Sequence, residues 1–567
     1  MTIVRHLVCL LLLVAAPALA QGPLEPSRLP PDTLFYLLWR GTASVETSRS
    51  TNSLLQLWND PQFTNARAAL IASFSANVEK SQDAERVKRE VLAQILSLAE
   101  NPIILGLGGS SSVAGDAGSS RPAAFFAIFD GTGKENILRK LQQQSDANAQ
   151  PPPTITRYAV GPTTVEKVVR PKETYYRAQV GRYFLRANEQ ALMEDLIHRL
   201  RSPEKPATSL AESAEYRLAQ RWLGGPSPLE FFGHLPDLAK IPPPATESFD
   251  VGALLRALHL ERLQAIAGNL SFAGAASRMR MAALGDTSPG SVFDLAGESG
   301  PVFETLALAP RGTAYYNVVK VPFTGMYQLL RSALGEALPE KHRMMVDIVE
   351  AAAAQQIGMS LPDALGLLRG EVASIRPSAE FDTSSQLYAV AIQKQPEVLR
   401  LLRTILAKQI TSEFSHRDAS FLKISYPFGA RSGSADPTDL YLGVTPQMLL
   451  GAPRKELVEE AVARLEPKDA GAASLTADAG FRQARARFPQ NLTSLDYLDF
   501  TRMPWEKLSE TIREGIRKSG QQSPSEAATT DAWLQAISPA LIRRYLHSLS
   551  TGWWKARDGI YFDAYLD

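Results

Sequence analysis

Apolar and polar residues alternate over short stretches of this chain, and turn-forming residues separate these stretches. Residues 154–160, 163–169 and 278–282 show this period of two, which is typical of β-strands with one buried face. Residues 60–99 and 338–356 instead predict long helices. Because strands joined by short turns pair in antiparallel fashion and helices can cover them, we predict an α+β fold.

The strongest pattern in the sequence is an internal repeat. Residues 174–200 align without gaps with residues 439–465, at an offset of 265, and in both segments an apolar hairpin leads into an amphipathic helix. Because ordered matches rarely arise by chance, the sequence predicts a tandem duplication. The other matches, in chain order, are 34–41 with 314–321, 137–141 with 398–402, 229–234 with 495–500, and the hairpins near 270 and 553.

A stretch rich in Gly, Ser and Pro at 285–305 separates the two halves of the repeat. We therefore expect a first α+β repeat over residues 21–290 and a second over residues 291–567. Each repeat is expected to be an antiparallel sheet with hairpins that helices cover. Two segments of low complexity, 108–120 and 519–531, have the composition of flexible loops.

The first twenty residues have the three-part layout of a secretory signal peptide. Arg5 and His6 precede the apolar run Leu7–Ala16, and Ala18-Leu19-Ala20 resembles a cleavage site. The apolar run is shorter than the roughly 20 residues that span a bilayer. We predict cleavage after Ala20, a periplasmic or secreted location, and no transmembrane segment in the mature chain.

Charge and cysteine content exclude further classes of protein. Lys and Arg number 60 and Asp and Glu number 59, so the chain lacks the basic excess of a nucleic-acid-binding protein. The only cysteine, Cys9, lies inside the predicted signal peptide. A mature chain without cysteine excludes disulfides and thiolate metal sites, and it suits an oxidising compartment.

The segment Asp130–Lys134, with the sequence DGTGK, lies between an apolar strand and a helix, as a phosphate-binding loop would. However, Ile128 stands where that motif requires glycine, and Glu135 stands where it requires Ser or Thr. The six histidines after residue 20 have no metal-binding spacing. We therefore predict an ordinary strand-to-helix turn, and we nominate no catalytic residue, metal ligand or cofactor.

Two adjacent tryptophans, Trp553 and Trp554, are the candidate ligand or partner contacts. Both fall in a predicted strand near the end of the chain. Adjacent strand residues point to opposite faces of a sheet, so one of the two is expected outside the core unless both faces are covered.

Three phrases resemble an uncharacterised family of exported bacterial proteins, known as domain of unknown function 3352. They are LPPDTLFYLLWRG at 29–41, ETLALAPRGTAYYNVV at 304–319 and LLRGEVASI at 367–375. The second phrase departs from the first, because Gly312 stands where Asp32 does. The resemblance implies an exported bacterial protein, and it supplies no activity, substrate or catalytic residue.

These observations favour a non-catalytic binding module for an apolar small molecule, a lipid or a partner protein. The missing catalytic signatures argue against an enzyme, and a duplicated pair of domains can form a groove for a ligand. Two alternatives stay open. They are a structural scaffold of an envelope assembly and an envelope hydrolase whose active site is dispersed along the sequence.

Overall fold

The structure of this chain is a computed structural model. It describes residues 24–65, 98, 100–108, 124–147, 149–171, 173–202, 206, 208–235, 256–301, 303–377, 385–426, 438–465, 474–506, 510, 514 and 538–567. The predicted signal peptide, the segment 519–531, all of the segment 108–120 except Gly108, and most of the predicted helix 60–99 lie outside the described residues.

The chain divides into two units, and both combine helices with antiparallel sheet, which confirms the α+β class. The first unit is formed mainly by residues up to Pro242 together with Leu263–Leu284. Its strands are β1 (Thr33–Arg40), β2 (Pro102–Gly108), β3 (Ala124–Asp130), β4 (Thr154–Val160), β5 (Thr163–Arg170), β6 (Glu173–Val180), β7 (Tyr183–Ala187), β8 (Leu229–His234), β9 (Leu263–Ala273) and β10 (Ala276–Gly285). Its helices are α1 (Ser53–Asn59), α2 (Glu135–Ala147), α3 (Gln190–Arg201) and α4 (Ala214–Leu223).

The second unit is formed mainly by Gly285–Gly520 together with Ser538–Asp567. Its strands are β11 (Tyr315–Lys320), β12 (Leu368–Arg376), β13 (Leu387–Ile392), β14 (Ile410–His416), β15 (Ala419–Tyr426), β16 (Thr438–Val444), β17 (Met448–Ala452), β18 (Ser494–Asp499), β19 (Ser548–Ala556) and β20 (Gly559–Leu566). Its helices are α5 (Phe323–Ala337), α6 (Glu340–Ile357), α7 (Leu361–Gly366), α8 (Gln395–Ile405), α9 (Lys455–Arg464), α10 (Ala479–Arg485) and α11 (Pro539–Tyr545).

The periodicity of the sequence correctly predicted the four strands and helices that lie within the described residues. The three predicted strands are β4, β5 and part of β10, and the helix predicted at 338–356 is α6. Among the described helices, none is both long enough and apolar enough to span a membrane.

Strand order is the same in the two units. In the first unit it is β4-β5-β6-β7-β3-β2-β1-β8-β9-β10. In the second unit it is β14-β15-β16-β17-β13-β12-β11-β18-β19-β20. The strand that opens each unit therefore lies inside its sheet, between the next strand along the chain and a strand about 180 to 200 residues further on.

The helix that follows the second hairpin buries matching positions in the two units. Helix α3 buries Leu192, Met193, Leu196 and Ile197, and helix α9 buries Leu457, Val458, Ala461 and Val462. Each of these pairs is separated by 265 residues, the offset of the sequence repeat. The spacing of three and four residues places each set on one face of its helix, toward the core.

The turn before the first strand also has the same hydrogen bonds in both units. The hydroxyl of Thr33 donates to the carbonyl of Pro30 at 2.7 Å, and that of Thr313 donates to the carbonyl of Pro310 at 2.7 Å. Asp32 and Gly312 precede these threonines, and Gly312 adopts a positive φ of 91°. Glycine accepts this conformation without steric cost.

Three aromatic rings pack together beneath the sheet of each unit. Tyr216 and Phe232 meet edge to face at 5.3 Å beside Tyr36, while Phe481 and Tyr497 meet in the same way at 5.3 Å beside Tyr316. Tyr36 lies opposite Phe232 in strand pairing, and Tyr316 lies opposite Tyr497. This register makes 229–234 equivalent to 494–499, so the alignment of 229–234 with 495–500 is shifted by one residue.

Candidate interaction surface

The two candidate tryptophans lie on β19, and both side chains are half-buried. Trp554 packs against the core of the second unit and stacks on Tyr561, with ring centroids 5.8 Å apart. Trp553 is its neighbour in the strand and lies opposite Phe562 of β20. The packing of Trp554 accounts for that side chain without a ligand. Trp553 stays a candidate contact on the other face of the sheet.

The DGTGK segment forms a tight turn whose polar groups bind one another. Asp130 accepts hydrogen bonds from the backbone N–H and the hydroxyl of Thr132, at 3.0 and 2.6 Å. The side chain of Asn101 donates to the carbonyls of Asp130 and Thr132, both at 2.9 Å. Lys134 Nζ lies 2.6 Å from a carboxylate oxygen of Glu100. These contacts are those of an ordinary strand-to-helix turn.

A cavity of about 480 Å³ in the second unit is lined in part by charged residues, of which Glu304, Arg369 and Glu371 have structural partners. The buried carboxylate of Glu371 accepts from the backbone N–H groups of Glu304 and Thr305, at 3.1 and 2.7 Å, and from the Thr305 hydroxyl at 2.7 Å. Arg369 forms an ion pair with Glu304. These groups hold the 3-10 helix Glu304–Leu308 against β12.

A smaller cavity of about 230 Å³ in the first unit is lined in part by Asp32, Glu215 and His234. Burial raises the pKa of the Asp32 carboxyl above its ordinary value. Among the residues that the structure describes, no group of three or more His, Cys, Asp or Glu side chains is arranged to hold a metal ion.

Helix α6 differs from the other long helices because no residue along it is buried. Pro339 precedes the helix, and Gly358 ends it in the left-handed conformation with φ of 73°. On one side Arg331 of α5 binds two acidic residues of α6, with Nε 2.9 Å from Glu350 and a second ion pair to Asp347. These contacts join α6 to α5, and α6 also contacts α7 and α8.

The opposite side of α6 presents large apolar side chains to solvent. Met344 is 55% exposed, Met345 56% and Ile348 67%. At about 100° per residue, Met344, Met345, Ile348, Ala351 and Ala352 all lie within about 60° of the direction of Ile348. We call these five residues the α6 stripe. Val349, which is 65% exposed, lies at its edge.

The sequence predicts helix α6 but not the exposure of its stripe. Apolar residues occur on nearly every side of this helix, because Val346, Ile357 and the run Ala351–Ala354 accompany the stripe. A pattern of this kind does not show which side is buried. The adjacent Met344 and Met345 are the one feature of the sequence that indicates a binding surface, since polarisable, unbranched methionines are common on surfaces that bind other proteins.

Known proteins give no guide to this surface. No family model matches the chain, and no curated protein or solved structure shows significant similarity to it. The α6 stripe must therefore be interpreted from its own chemistry. Its centre is apolar, convex and free of charged side chains, so it is suited to contact rather than to catalysis.

Proposed function

We propose that this protein is an exported, non-catalytic binding module, and that the α6 stripe binds an apolar face of a partner protein. The observation that carries the proposal is the exposure of Met344, Met345 and Ile348 on one helix face. Contiguous apolar patches on soluble proteins commonly mark interaction sites. Small-molecule sites are concave, whereas a single helix face is convex, so a protein partner fits better than a small ligand.

The use of buried acidic groups supports a role without catalysis. In the described part of the chain, every buried carboxylate accepts a hydrogen bond from a neighbouring group through at least one of its oxygens, as expected for structural acceptors. Glu230, for example, accepts from the Tyr36 hydroxyl at 2.8 Å and from Arg40 at 3.0 Å. The set comprises Asp130, Glu230, Glu371, Asp478, Asp499 and Asp563.

The proposal also covers how the chain arose and where the protein is located. The shared strand order, the matching turn before the first strand and the ungapped alignment of 174–200 with 439–465 support a tandem duplication. The signal-peptide pattern of residues 1–20 supports export to the periplasm or beyond. Membership of the domain of unknown function 3352 family is part of the same proposal, and it rests on the three sequence phrases.

Photo-crosslinking in the producing cell tests the binding surface. A benzoylphenylalanine at position 348 should give a discrete crosslinked protein product. The same group at the exposed position 336 of α5, outside the stripe, should not. The product should disappear when Met344 and Met345 are both changed to Gln. Equal crosslinking at 348 and 336, or none at 348, would contradict the proposal.

A further inference from the structure

We infer that the partner of the α6 stripe is a second copy of this chain, with the two α6 helices packed antiparallel about a two-fold axis at Ile348. This inference rests on the proposed function, because it names the partner of the same surface. The argument comes from the distribution of side-chain size and charge along α6.

The α6 stripe has large side chains at one end and small side chains at the other. Met344 and Met345 lie one turn before Ile348, and Ala351 and Ala352 lie one turn after it. In an antiparallel pair centred on Ile348, the methionines of each copy lie against the alanines of the other. Large side chains then fill the space that small ones leave, as close packing requires.

A parallel pair would lack this complementarity. It would place methionine on methionine and leave alanine opposite alanine, so one end would be crowded and the other would contain a gap. It would also bring the two Lys341 side chains together, since Lys341 lies on the same side of the helix as Ile348. Like charges in contact oppose association.

In the antiparallel pair the ends of the stripe match in polarity. Lys341 of one copy lies opposite Gln355 of the other, whose side-chain carbonyl can accept a hydrogen bond from an ammonium group. Asp347 and Glu350 are engaged by Arg331 of their own chain. The centre of the interface is therefore free of like-charge contacts.

The size of the contact sets the expected strength of the dimer. From Lys341 to Gln355 the helix rises roughly 21 Å. One helix pair of this length buries less than the roughly 800 Å² per partner of a standard stable interface. The dimer should therefore be weak and should depend on protein concentration.

Cysteine crosslinking tests this geometry directly, because Cys9 is the only native cysteine. In the full chain carrying Cys9→Ala, Ile348→Cys lies on the two-fold axis and should form a disulfide-linked dimer under mild oxidation. Its rate should exceed that of Glu336→Cys, an exposed control outside the stripe, by roughly tenfold or more. A mixture of Met345→Cys and Ala352→Cys proteins should form the mixed dimer faster than either protein dimerises alone.

Sedimentation velocity of the unmodified protein gives an independent measurement. A dimer that grows with concentration and is lost in Ile348→Gln is expected, and circular dichroism should show that this variant is folded. A monomer at all concentrations, with equal crosslinking of Ile348→Cys and Glu336→Cys, would overturn the inference. Faster crosslinking of Met344→Cys with itself than of Ile348→Cys would overturn the antiparallel arrangement. In either case a crosslink from position 348 to a different protein in the cell would leave the proposed function standing.

Discussion

At the scale of single residues, Asp478 shows how one carboxylate joins two elements of the second unit. One of its oxygens accepts the backbone N–H groups of Gly480 and Phe481 at the start of α10, at 3.0 and 3.3 Å. The other accepts from Arg502 at 2.8 Å. Burial alone would raise the pKa of Asp478, but these donors lower it below its ordinary value.

A carboxylate whose pKa is lower in the folded chain than in the unfolded chain stabilises the protein at pH values above its pKa in the unfolded chain. This contribution is lost as pH falls through its pKa in the folded chain. We expect Asp478→Asn to reduce the free energy of unfolding by about 1–2 kcal/mol at pH 7. The difference from the wild type should shrink as pH falls below about 4, because the carboxyl then takes up a proton in the unfolded chain while it is still ionised in the folded one. Urea denaturation at pH 7 and pH 3 measures both values.

Ser213 provides the matched control, because it begins α4 at the equivalent position of the first unit. Its hydroxyl accepts the backbone N–H of Tyr216 at 3.1 Å. Ser213→Ala should cost about 1 kcal/mol, and this loss should not change with pH because a hydroxyl does not titrate in this range. A loss in Asp478→Asn that is equally large at pH 3 and pH 7 would contradict the role assigned to the charge.

The buried tyrosines that open the two units differ in what their hydroxyls bind. The Tyr36 hydroxyl lies 2.8 Å from the carboxylate of Glu230, and the Tyr316 hydroxyl lies 2.9 Å from the hydroxyl of Thr305. Burial and the nearby Glu230 raise the pKa of Tyr36 well above its ordinary value. Tyr36 therefore remains a neutral donor at physiological pH.

We expect Tyr36→Phe to destabilise the protein more than Tyr316→Phe. The first change removes a donor from a buried charge and should cost about 2–3 kcal/mol, while the second removes a neutral hydrogen bond and should cost about 1 kcal/mol. Chemical denaturation of the two variants under one condition gives the comparison. Equal costs would show that Arg40 alone satisfies Glu230.

At the scale of elements, the attachment of α6 depends on few contacts, because the helix has no buried residue. We expect Arg331→Gln to increase the amide exchange rate across α6 several-fold, while the free energy of unfolding changes by less than about 1 kcal/mol. Hydrogen exchange of the full protein, followed by mass spectrometry of its peptides, measures the effect.

Arg464→Gln is the control for this prediction. Arg464 binds Glu460 at 3.0 Å within α9, and α9 packs on β16, β17 and the 3-10 helix Glu304–Leu308. Its replacement should leave the exchange of α6 unchanged. Unchanged exchange of α6 in Arg331→Gln would mean that the contacts of α6 with α7 and α8 hold the helix without these ion pairs.

The elements also show what the sequence could and could not predict. Local periodicity located β4, β5 and α6 because each depends on residues close in sequence. The pairing of β1 with β8 joins residues almost 200 positions apart, and no local pattern specifies it. The exposure of Ile348 was missed for a similar reason, since exposure depends on which distant elements cover a helix.

At the scale of the whole molecule, the two units share topology more closely than sequence. The three packed aromatic rings keep their places beneath the sheet in both units, although their hydroxyl groups differ. Tyr216 of the first unit corresponds to Phe481, which has no hydroxyl, and Phe232 corresponds to Tyr497, which has one. The partners of the strand tyrosines differ as well, because the Tyr36 hydroxyl binds the carboxylate of Glu230 and the Tyr316 hydroxyl binds the hydroxyl of Thr305. Cores tolerate such exchanges when volume and pattern are kept, so a repeat can persist in the fold after most identities have changed.

This reasoning predicts how a duplicated chain responds to substitution. In a mutational scan of protein abundance, the cost of each substitution over residues 173–200 should correlate with its cost over residues 438–465 at an offset of 265. Shifting the comparison by one residue should remove most of the correlation, because a one-residue slip moves strand residues to the other face and turns helix residues away from the core. Buried pairs such as Leu196 with Ala461 should tolerate the fewest polar residues. If the offset of 265 performed no better than its neighbours, the matched strand order would reflect a favourable architecture reached twice rather than a duplication.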